Sequence, residues 1–151
     1  MNPVEAVTLL ARSQLWVRES GGENRGQVVE HYLSSVGQPA GEPWCAAFVS
    51  WVGKLGVAGW PLPMTAGCQA LFNAASKLQL IDTVPSPGAV FLLWRPALGR
   101  FAHTGFVLSR AAAGWQTIEG NTNPAGGREG YGVFERKRLF APEDRFIRWS
   151  H

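Results

Sequence analysis

A chain of 151 residues, 46% hydrophobic and 17% charged, with 14 basic against 11 acidic residues and a net charge of +3, has the balance of one folded domain around one core. It is not that of a disordered chain, and two cysteines with no zinc-type spacing exclude a disulfide scaffold and a zinc module. The scattered arginines are weak evidence for any anionic partner; they suit a polyanionic surface such as a bacterial wall, and no nucleic-acid partner is expected.

The N-terminal half reads as helices. Asn2 caps a first helix with Pro3 at its first position and Glu5 closing the box, followed by apolar Val4, Val7, Ala11 and Leu15. After a loop over 19–23, Asn24 is the expected cap of a second helix, with Gln27 as its partner and Val28, Val29, Tyr32, Leu33 and Val36 as its stripe. Gly37 ends it. A third helix is expected to begin near Pro43 and to bury Phe48, Trp51, Val52 and Leu55. A fourth is expected from Thr65, with Cys68, Leu71, Phe72, Ala75 and Leu78 on one side; that stripe makes Cys68 a packing residue. Residues 55–76 carry no charge, but Gly56, Gly59, Pro61, Pro63 and Gly67 interrupt them and Gln69 and Asn73 sit inside, so no membrane insertion is expected.

The C-terminal half changes character. Residues 88–94, 104–109, 115–120, 132–137 and 145–149 are short β-rich runs separated by Gly, Pro or charged turns. Helices followed by strands predict an α+β domain on an antiparallel sheet. No repeat, low-complexity tract or linker divides residues 1–151, so one domain is expected.

Cys45 is the first candidate for chemistry. It falls in the first turn of the third helix, where unpaired N–H groups and the helix dipole stabilise a thiolate. Of the three histidines, His31 lies off its apolar stripe and His151 is terminal, which leaves His103 at or near the start of a strand, close to the core. In the run 115–121, alternation puts Trp115, Thr117, Glu119 and Asn121 on one face. Glu119 or Asn121 could orient an imidazole and support its charged form. Arg136, Lys137 and Arg138 read as a solvated strand end. The order Cys, His, then carboxylate or amide is that of papain-type thiol hydrolases.

Three segments then carry a specific likeness: Pro43-Trp44-Cys45-Ala46-Ala47-Phe48-Val49-Ser50-Trp51, His103-Thr104-Gly105-Phe106-Val107 and Ile118-Glu119-Gly120-Asn121-Thr122-Asn123. Together they resemble the CHAP family of cysteine, histidine-dependent amidohydrolases/peptidases, related to the NlpC-type wall peptidases. Pro87-Gly88-Ala89-Val90-Phe91, Gly127-Arg128-Glu129-Gly130 and Gly22-Glu23-Asn24-Arg25-Gly26 add to it, so the likeness spans about residues 19 to 138.

The resemblance implies a papain-like fold in which Cys45 is nucleophile, His103 the base and then acid, Glu119 the third member and Asn121 an auxiliary polar group. The Cys45 backbone N–H is the expected first oxyanion donor, with Gln38 a candidate for the second. Trp44 and Asn24 are candidates for the cleft wall. Some members carry an acidic calcium loop before the cysteine; here residues 36–44 contain only Glu42 among acids, so no metal and no cofactor is expected. The implied partner is peptidoglycan, attacked by a monomer. The alternatives are a thiol amidase or peptidase on a non-wall substrate, and a non-catalytic wall-binding or phage-tail domain. The N-terminus shows no secretory signal, so synthesis in the cytoplasm and delivery to the wall by a phage apparatus or a secretion system is expected.

Overall fold

The chain changes from helix to strand near residue 80, as the residue pattern predicts. The computed structural model describes residues 1–124 and 130–150. Four helices come first: α1 (Pro3–Arg12), α2 (Gln27–Ser35), α3 (Cys45–Gly56) and α4 (Cys68–Lys77). Six strands follow: β1 (Ile81–Asp82), β2 (Val90–Arg95), β3 (Arg100–Arg110), β4 (Trp115–Thr122), β5 (Gly132–Arg138) and β6 (Arg145–Ile147). They form one antiparallel sheet in the order β1-β6-β2-β3-β4-β5. The fold class is therefore α+β with an antiparallel sheet. Among the described residues no helix is long and apolar enough to cross a membrane. Gly127, Arg128, Glu129 and His151 lie outside the described residues.

The capping box at Asn2 forms as expected, with Asn2 Oδ1 accepting from the Glu5 N–H and Glu5 accepting from the Asn2 N–H. The other three helices start later than the sequence suggests. Asn24 does not cap α2; its backbone is left-handed (φ 56°) and its side-chain amide donates to the Gly41 carbonyl. Gly26 takes the cap position, and its N–H donates to the Glu30 carboxylate. Pro43 lies outside α3, because the first helical bond runs from the Phe48 N–H to the Trp44 carbonyl. Thr65 lies outside α4: its hydroxyl accepts from the Gly67 N–H in a local turn, and the helix begins at Cys68. Both cysteines thus become the first residue of a helix.

Helix α3 is the hub. It packs against α1, α2, β3 and β4, and its residues from Cys45 to Ser50 are all buried. The main core runs from Val7, Tyr32 and Phe48 through Leu71 to Phe106, Ile118 and Ile147, between the helices and the sheet. Ala89, Phe91, Val107 and Phe146 form a second, smaller cluster. Gly120 sets how closely α3 approaches β4, since a Cβ there would lie 2.8 Å from both the Phe48 Cβ and the Trp44 ring. Both neighbours are fully buried and cannot yield. Gly120→Ala is expected to destabilise the protein by about 2 kcal/mol through overpacking. Urea unfolding measures this, and an unchanged midpoint would show that α3 does not rest on β4 at this point.

Candidate active site

The start of α3 places Cys45 where N–H groups have no intrahelical acceptor and the dipole favours negative charge. Two features fix that start. Trp44 is fully buried, stacks on Tyr32 with ring centroids 5.8 Å apart, and donates its Nε1–H to Glu19 at 2.8 Å. Tyr32 in turn contacts Phe48 and Trp51 of α3. Trp44 therefore anchors the helix and offers no surface to a substrate.

His103 lies in β3 and Glu119 in the neighbouring strand β4, and His103 Nε2 meets Glu119 Oε1 at 2.7 Å. Glu119 has no exposure to water, yet both its oxygens are satisfied. Oε1 also accepts from Arg138 Nη2 at 2.7 Å, while Oε2 accepts from Arg138 Nε and from the Thr117 hydroxyl. Burial opposes this charge, but the hydrogen bonds from Arg138 and His103 hold the carboxyl far below its ordinary range. Arg138, read from the sequence as part of a solvated strand end, is instead the partner that keeps Glu119 ionised. Its guanidinium also lies over the Phe91 ring, 5.7 Å from the centroid. The pattern of β5 alone could not select it, because Arg136 and Arg138 are the same residue type on the same face of the strand.

With Nε2 engaged by Glu119, the other ring nitrogen is left for the thiol; His103 and Cys45 line the same cavity, where the imidazole serves as counter-charge to the thiol. Burial again works against the imidazolium, but the bonds to Cys45 and Glu119 outweigh it and raise His103 to about 9. The Cys45 thiol is pushed well below its usual value, first by a hydrogen bond from Cys68, then, against burial, by His103. Together these shifts favour a thiolate–imidazolium pair at neutral pH.

Cys68 is the residue whose placement the sequence missed. Its sulfur lies 3.7 Å from that of Cys45. Helical periodicity correctly buries it with Leu71 and Ala75, but cannot reveal that the starts of two helices converge.

Cys45 lies between two cavities. One, of about 450 Å³, is lined by Cys45, His103, Ala102, Pro43, Gly130, Asn24, Asn121, Glu23 and Arg95. The other, of about 470 Å³, is lined by Cys45, Cys68, Pro43, Ala66, Gly67, Ala102, Gln38, Glu42, Thr65 and Arg100. Asn24 therefore does reach the cleft wall, and Gln38 stands on the far side of the thiol. Asn121 also lines the cavity with a left-handed backbone (φ 53°), at a register break between Glu119 and Thr122. That irregularity ends the strict alternation that would pair Asn121 with Glu119, and the carboxylate is the group bonded to the imidazole. Among the described residues no cluster of three His, Cys, Asp or Glu side chains could hold a metal ion.

Comparison with protein-family models, curated proteins and solved structures returns no match.

Arg138→Leu leaves the Glu119 carboxylate buried with two of its four donors gone. Unfolding free energy is expected to fall by about 3 kcal/mol, while Arg138→Lys, which keeps the charge without the fork, falls less. Equal stability of Arg138→Leu and wild type in denaturant unfolding would show that the pair is dispensable.

Proposed function

We propose that this protein is a papain-like thiol hydrolase that cleaves an amide bond of bacterial peptidoglycan. The observation that carries the reading is the buried relay from Glu119 through His103 to a thiol at a helix start, opening on a polar cleft. A structural cysteine needs no charged histidine, and a binding surface needs no such relay. The likeness of the three site segments to CHAP domains supports the choice of wall as substrate. So does the cleft, whose Glu23, Arg95, Glu42 and Arg100 suit a ligand bearing both carboxylates and amines, as wall stem peptides do.

In this mechanism the Cys45 thiolate attacks the amide carbonyl, and the Cys45 N–H at the start of α3 donates to the developing oxyanion. The His103 imidazolium protonates the leaving amine as the C–N bond breaks, which leaves a thioester. Neutral His103 then takes a proton from water, the hydroxide adds to the thioester, and the acid and the thiolate are released. Glu119 keeps Nε2 protonated and supports the imidazolium, and Arg138 holds Glu119 in place.

Purified sacculi digested by the wild type are expected to release muropeptides with new amino and carboxyl ends, identified by mass spectrometry, and Cys45→Ala is expected to release none. Activity rises as Cys45 ionises and falls as His103 loses its proton, so the alkaline limb belongs near pH 9. Glu119→Gln removes a charge that raises His103 and should move that limb to lower pH. Intact sacculi alongside cleavage of a small amide or peptide would place the substrate elsewhere. Binding to sacculi without thiol-dependent turnover would remove the enzymatic reading.

A further inference from the structure

Two free thiols meet beside the cleft. Cys45 and Cys68 open α3 and α4, their sulfurs are 3.7 Å apart, and both line the cavity of about 470 Å³ that also contains Gln38 and Arg100. Each is 5% exposed and opens on the cavity, through which a small oxidant can reach the pair. A disulfide needs a sulfur separation of about 2.05 Å. The gap to close is about 1.7 Å, which rotation about the two Cα–Cβ bonds has to supply.

We propose that Cys68 is a resolving thiol for Cys45, and that a peroxide converts the pair into an intramolecular disulfide that reversibly blocks the cleft. In the first step the Cys45 thiolate attacks one peroxide oxygen. An S–O bond forms, the O–O bond breaks, and hydroxide leaves as water after taking a proton, which gives Cys45 sulfenic acid. The Cys68 sulfur then attacks the Cys45 sulfur. The S–S bond forms, the S–O bond breaks, and the leaving hydroxyl takes the Cys68 proton to depart as a second water. Two thiols lose two electrons to one peroxide.

The division of labour follows from the environments. The hydrogen bond between the sulfurs lowers Cys45 and raises Cys68, and burial raises Cys68 further, so Cys45 is the thiolate that meets the oxidant. Without a neighbour, a sulfenic acid at Cys45 proceeds to the irreversible sulfinic acid. With Cys68 in contact, resolution competes with that loss, and a dithiol reductant restores both thiols. The blocking effect rests on Cys45 being the nucleophile proposed above, whereas formation of the disulfide does not.

The test is a few-fold molar excess of hydrogen peroxide on the full chain without substrate, read by intact mass and by alkylation of remaining thiols. The wild type is expected to lose two hydrogens and both alkylatable thiols, and to regain both on treatment with a dithiol. Cys68→Ser and Cys68→Ala are expected instead to gain oxygen at Cys45 that the dithiol does not fully remove. Wild-type Cys45 oxidised to sulfinic acid with Cys68 still alkylatable would overturn the proposal, as would a disulfide that joins two chains. A disulfide that forms and reverses in a protein with no wall activity would support the thiol pair and remove the hydrolase reading alone.

Discussion

The site depends on one carboxylate that has no contact with water. A buried charge is tolerated only when its lone pairs are filled and its field is compensated, and Glu119 meets both conditions through Arg138, Thr117 and His103. Satisfying it fixes three strands relative to one another, because the donors come from β3, β4 and β5. The imidazole is then held through Nε2 on the carboxylate, in the same cavity as the thiol. Electrostatically the cluster alternates: guanidinium, carboxylate, imidazolium, thiolate. The charges cancel in sum, which is how four ionised groups can share a largely buried region.

Helix α3 supplies the other half. Its first residue needs a defined position, and this comes from packing rather than from a side-chain cap, since Trp44 at the cap position makes no capping hydrogen bond. The indole is pinned by Tyr32 and Glu19 on one side, and the absence of a side chain at Gly120 lets the helix settle on β4. The same close packing brings the start of α4 against the thiol, so core stability and site geometry are set by the same contacts.

Much of this was legible in the sequence. Residue periodicity separates the helical from the strand half, and Cys45, His103 and Glu119 stand out because their residue types and elements suit one relay. Parts that depend on tertiary contact were not legible. Three helix starts shift because Asn24, Pro43 and Thr65 are each engaged in, or adjacent to, turns that local propensity cannot distinguish from caps. The two-residue strand β1 exists through its pairing with β6, and residues 81 and 82 carry no strand pattern of their own. Arg138 and Cys68 share the same difficulty. Each fits a bland local pattern, a basic strand end and an apolar helix stripe, and acquires its role from a neighbour distant in sequence.

The central claim is that this surrounding network makes Cys45 a thiolate at neutral pH. Ultraviolet absorbance of the thiolate, titrated against pH in wild type and with Cys45→Ser as the background, measures it directly. The account predicts a Cys45 ionisation step well below the ordinary thiol range in the wild type, moved upward in His103→Ala. A Cys45 midpoint near the free-thiol value of about 8.5, unaffected by loss of His103, would contradict it.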